Sequence, residues 1–185
     1  EFDKENPFII PEDVSAGFID VLKFIQFYCR GRLTERHLKN VSYQKIQKAK
    51  EKLENLPRSN NHWFYKLCQG LIYHLLSVSE AEIFYLDSLE SAPEHEKGKL
   101  KEVLSNYFFL KHEYKKANEY YSELYNNNKK KYFEGMYLSI VFQDDHDKTT
   151  ELYRFLNDEL ASNPELERVA GALKVNIIKR LWERD

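Results

Sequence analysis

The densest run of side chains able to hold a metal is Asp144-Asp145-His146-Asp147. A metal site needs ligands that converge, and four adjacent residues on a turn do not converge without a recognised loop pattern. The run reads as a solvated loop between helices, with Asp147 capping the helix that follows. Lys129-Lys130-Lys131, directly after Asn126-Asn127-Asn128, is a short positive cluster that could meet a phosphate or an acidic partner. It sits at a turn, however, where solvated lysines are ordinary. His74 and His112 stand on predicted helices with no Cys or Ser nucleophile at a suggestive spacing, so they read as structural. Cys29 and Cys68 have neither metal-ligand nor redox spacing and read as reduced, buried thiols. The sequence has no glycine-rich phosphate loop and no recognisable nucleophile motif. The expectation is a non-enzymatic chain without metal or cofactor.

The elements that must position any site are helices. In 185 residues there are only 6 Gly and 5 Pro, while Leu, Lys and Glu abound. Hydrophobic residues make up 42%, charged residues 31% and aromatics 15%, with 13 Tyr and 12 Phe to fill gaps between helices. Net charge is −2 and the sequence pI about 6.4, so nothing global points to nucleic acid. No signal peptide and no apolar run of membrane-spanning length are visible, and the expected setting is cytoplasmic. The chain opens Glu-Phe and has Met136 as its single methionine, from which we expect a piece of a longer protein.

Periodicity and punctuation predict about nine helices. An extended lead-in runs from Glu1 to Ile10. The helix over Val14–Arg30 is apolar nearly all round, its polar stripe reduced to Asp20, Lys23 and Gln26. A second, Thr34 to Leu56, has one apolar seam, and Pro57–Asn61 breaks it. Seven more are expected at about 62–77, 79–91, 95–110, 113–127, 130–142, 147–161 and 164–183. Ser162-Asn163-Pro164-Glu165 is the clearest start signal, a polar cap followed by Pro in the first turn.

A small residue precedes Tyr by four positions three times: Ala81 and Tyr85, Ala117 and Tyr121, Thr149 and Tyr153, separated by 36 and 32 residues. Leu104, Ser105 and Phe108, followed by Tyr114, Ala117, Tyr121 and Leu124, resemble the two helices of a tetratricopeptide repeat. The preceding unit carries Gly70, Tyr73, Ala81, Tyr85, Ser88 and Pro93 with a turn one residue short. The following unit keeps Gly135, Thr149, Tyr153 and Leu156 across a longer turn. The resemblance implies an all-α chain in which antiparallel helix pairs stack into a short right-handed solenoid. Its expected parts are a lead-in and hairpin over 1–61, three irregular helix pairs over 62–161, and a capping helix over 162–185, all in one continuous domain.

Such arrays work by surface recognition, with the first helix of each pair lining a concave groove. By that resemblance, the residues facing the groove are Phe64, Leu67, Leu71 and His74, then Lys99, Glu102, Asn106 and Phe109, then Tyr132, Met136 and Ser139. The groove would be largely apolar and aromatic and suited to a peptide or helix of a partner protein, with Asn106 able to bond a backbone. Leu67 and Leu71 occupy places where the family's clamp for C-terminal carboxylates needs Lys and Asn, so such a clamp is not expected. Two other readings are a sensor domain of a peptide-pheromone-responsive bacterial regulator, and an assembly scaffold. The scaffold would use the apolar helix, through Phe18, Leu22, Phe24 and Ile25, to form a homo-oligomer.

Overall fold

The structure, a computed structural model, describes residues 43–55, 62–76, 79–143 and 146–182. Eight α-helices run through them: α1 Tyr43–Glu54, α2 Trp63–Leu75, α3 Ala81–Ser91, α4 Glu94–Leu110, α5 Tyr114–Asn127, α6 Lys129–Val141, α7 His146–Ser162 and α8 Glu167–Trp182. The described residues contain no strand, and none of their helices is long and apolar enough to cross a membrane. The expected helix over Val14–Arg30, with Phe18, Leu22, Phe24 and Ile25, lies outside the described residues, as do Asp144 and Asp145. The chain divides into two compact units, Glu1–Val103 and Leu104–Asp185, a division that falls inside α4.

Local chemistry sets the helix ends. His62 caps α2 through its ring, Nδ1 accepting from the Phe64 amide at 3.2 Å. Asn128 caps α6 by accepting from the Lys131 amide at 3.1 Å, which satisfies one of the orphan donors of the first turn. Pro164 does not open an α-helix directly: Pro164–Leu166 form a 3₁₀ turn, and α8 starts behind it at Glu167. At the start of α4, a hydrogen bond from Lys97 and its charge hold the Glu94 carboxyl below its usual range. Because the folded value is the lower one, the stability this pair adds is present above the ordinary Glu range. It is lost as pH falls through the lowered value.

In the first unit α2 packs on α1 and α3. The rings of Phe84 and Tyr73 lie 5.0 Å apart, and Ser88 Oγ donates to the Trp63 carbonyl at 2.8 Å. Partners on α2 fall in number as those on α3 rise, so the two helices are antiparallel. Phe64, Leu67 and Cys68 are fully buried, and Leu71 and Ile72 nearly so. The decisive contact is between Gly70 and Tyr85. A Cβ built on Gly70 would stand 2.7 Å from Tyr85 Cδ1, so the bare backbone is what admits the ring.

The second unit repeats the device in another order. α5 packs on α6, and a Cβ built on Gly135 would stand 2.4 Å from Tyr121 Cε1. α8 packs on both α6 and α7, contributing Ala170, Leu173 and Ile177 to a core with Phe133, Tyr137 and Leu156. Ala81 and Ala117, the small residues of the recurring spacing, are both fully buried.

The glycine contacts predict opposite effects for one chemical change. Gly70→Ala should lower unfolding free energy by about 1–3 kcal/mol, because the buried Tyr85 ring must shift. Gly98→Ala on α4, where a Cβ meets nothing within 4 Å, should raise it by about 0.5–1 kcal/mol through backbone entropy alone. Urea unfolding of both variants checks the contrast, and equal effects would contradict the packing described.

Candidate functional site

Three helices of the second unit present matched residues at successive levels. On α5 the stripe is Tyr121, Asn118 and Tyr114, spaced three and four residues apart and therefore on one face. On α6 and its C-cap it is Gly135, Ser139 and Phe142, running the other way. Tyr121 lies over Gly135, and its hydroxyl donates to Asn106 Oδ1 on α4 at 2.6 Å. One level along, Asn118 Nδ2 donates to Ser139 Oγ at 3.0 Å and to the Met136 carbonyl at 3.2 Å. At the last level the rings of Phe109, Tyr114 and Phe142 meet mutually. Phe109 meets Tyr114 edge-on at 5.3 Å and Phe142 edge-on at 5.8 Å, while Tyr114 and Phe142 stack at 5.2 Å. Each ring is held on two sides, in geometries that aromatic quadrupoles favour.

This seam is only partly covered. Asn106, Phe109, Tyr114, Asn118 and Phe142 are half-buried, whereas Ser139 is fully buried beneath Asn118. The two asparagines each keep one polar group unused. Among the described residues nothing accepts from Asn106 Nδ2 and nothing donates to Asn118 Oδ1. All six side chains are uncharged. Charged neighbours lie beside the seam: Lys116 bonds Glu113 at 2.8 Å and stands 4.9 Å over the Phe108 ring.

The turn that carries Tyr114 into place is unusual. His112 has φ of 61°, the left-handed conformation at which glycine is the common choice. The amide of Glu113 bonds the Phe108 carbonyl at 2.9 Å and that of His112 the Phe109 carbonyl at 3.1 Å, the paired bonds of a Schellman cap. The imidazole Nδ1 is hydrogen-bonded to the Tyr114 hydroxyl at 2.5 Å, so the strained residue also braces the aromatic cluster.

The residues expected to line a groove divide between the two units and between core and surface. Phe64, Leu67 and Leu71 are core residues of α2, and Met136 and Ser139 are buried on α6. The reason is helix phase: α2 is apolar around much of its circumference, so its apolar positions point into the unit. His74 is half-buried, its Nδ1 3.4 Å from the Tyr85 hydroxyl. Lys99 is half-buried and ion-paired at 3.0 Å with Glu96, whose carboxylate is buried, and Glu102 is half-buried. Tyr132 is half-buried with Lys131 Nζ 4.8 Å over its ring. Of the expected set, Asn106 and Phe109 come together at the seam, with Met136 and Ser139 supporting it from below. Asn118 and Phe142 were missed. A polar residue three before a buried Tyr, and an aromatic at a helix end, carry no signal of their own. Only their matched spacing to Ser139 and Tyr114 could have marked them.

No protein-family profile, curated protein or solved structure matches this chain. Among the described residues no group of three or more His, Cys, Asp or Glu could hold a metal ion.

The left-handed turn yields a direct prediction. His112→Gly should be more stable than His112→Ala by about 1 kcal/mol, since only the second places a Cβ in the disfavoured conformation. Thermal unfolding of the pair checks this, and equal midpoints would mean that residue 112 is not left-handed in solution.

Proposed function

We propose that this chain is a non-catalytic interaction module that holds a peptide or helix of a partner protein. In this reading its helix pairs form a short right-handed tetratricopeptide-like solenoid. The observation that carries the proposal is the seam of α4, α5 and α6. Its three mutually braced rings stay half-exposed, and beside them two asparagines are held in place with one bonding group each to spare. Rings already fixed lose little rotamer freedom on binding, so their burial by a ligand goes further toward affinity. An uncharged patch of aromatic and amide groups is suited to a neutral stretch of polypeptide rather than to nucleic acid. The tetratricopeptide-like part of the reading is supported by the buried alanines at 81 and 117 and by tyrosines four residues on, packed against bare glycine backbone. A cytoplasmic setting belongs to the same proposal and rests on two cysteines without the spacing of a disulfide framework.

Selection of dodecamer peptides from a random phage-displayed library against the 185-residue chain tests the site. Phe142→Ala and Phe109→Ala should each weaken the selected peptides at least about tenfold, consistent with loss of a buried aromatic anchor. Ile83→Ala, an exposed position on α3, should leave binding unchanged. Far-UV circular dichroism of each variant checks that its helices are retained. Peptides that bind both ring variants as tightly as the parent would place the interaction elsewhere.

A further inference from the structure

The two asparagines distinguish between the occupants that an interaction module could take. In a bound helix the interior N–H and C=O groups are already bonded to one another, so a partner helix has no use for side-chain amides at its backbone. An extended segment is the opposite case, with unpaired N–H and C=O groups along both edges. The seam offers one group for each. Asn106 has its carbonyl oxygen occupied by Tyr121, which leaves the NH₂ as its open group. Asn118 has its NH₂ committed to the Met136 carbonyl and to Ser139, which leaves the carbonyl oxygen. The assignment at Asn118 follows from chemistry, because only the NH₂ end can bond a backbone carbonyl. The Asn118 amide cannot turn over without losing those bonds, so its acceptor is fixed before any ligand arrives, while Asn106 presents its NH₂ in the orientation whose oxygen accepts from Tyr121.

Building on the interaction-module reading, we propose that the seam binds an extended peptide segment. One backbone carbonyl accepts from Asn106 Nδ2, and one backbone N–H donates to Asn118 Oδ1. An aromatic side chain seats on Phe109, Tyr114 and Phe142, whose exposed edges and faces accept a fourth ring by offset or edge contact. Because no seam residue is charged, recognition is through backbone and ring and is insensitive to salt.

The test uses a library-selected dodecamer, resynthesised with each backbone amide N-methylated in turn, titrated calorimetrically against the 185-residue chain and its Asn118 variants. One methylation should weaken binding to the parent by about tenfold, the loss of one hydrogen bond. The same methylation should cost nothing further against Asn118→Ala. Asn118→Asp, which keeps an acceptor oxygen, should retain the penalty and so controls for a merely structural effect. A penalty that persists undiminished in Asn118→Ala overturns the assignment to Asn118. If every N-methylation is silent and a helix-stapled version binds more tightly, the extended segment is overturned while the interaction-module reading stands. If no library peptide binds the chain, both fall.

Discussion

A tyrosine ring laid on the bare backbone of a glycine is the contact on which each unit depends. Tyr85 meets Gly70 in the first unit and Tyr121 meets Gly135 in the second, at distances that leave no room for a methyl group. The contact does two things at once. It lets two helices approach with a large ring between them, and it carries the phenol oxygen across to a third position. In the first unit that position is His74, in the second Asn106. A smaller ring partner would leave a cavity, and a larger one than glycine would push the helices apart.

The second unit builds further on this arrangement. Once Tyr121 fixes the distance and register of α5 on α6, the next levels of the same stripe follow at helical spacing. Asn118 falls opposite Ser139, and Tyr114 opposite Phe142. Asn118 is half-buried, and its bonds to Ser139 and Met136 offset the cost of withdrawing an amide from water. His112 adds a local strain at the turn between α4 and α5 and returns a bracing bond to Tyr114. Strained residues concentrate where a chain holds side chains ready for use.

Much of this was legible in the sequence, and the limit has a physical cause. Seven of the eight described helices lie within a few residues of expected ones, and α1 falls inside the expected 34–56, since glycine, proline and polar caps punctuate a strongly helix-forming composition. The small-residue-to-Tyr spacing marked Tyr85 and Tyr121, and with them Tyr153, which meets none of the described glycines among their nearest contacts. It did not identify the glycines the first two rest on, since Gly70 lies 15 positions before Tyr85 while Gly135 lies 14 after Tyr121, on opposite sides in chain order. Phe64, Leu67 and Leu71 show the complementary difficulty: an apolar helix residue looks the same in sequence whether it faces core or groove. Asn118 stayed hidden because asparagine within a helix usually points to solvent, and only the facing serine reveals otherwise.

The central claim is that the ring at 121 is what requires glycine at 135. A double-mutant cycle on unfolding free energy measures this coupling. With Tyr121 present, Gly135→Ala should destabilise the chain. In a Tyr121→Ala background the same substitution should become stabilising by about 0.5–1 kcal/mol, the ordinary gain for alanine over glycine in a helix. A Gly135→Ala effect of the same sign and size in both backgrounds would contradict the account.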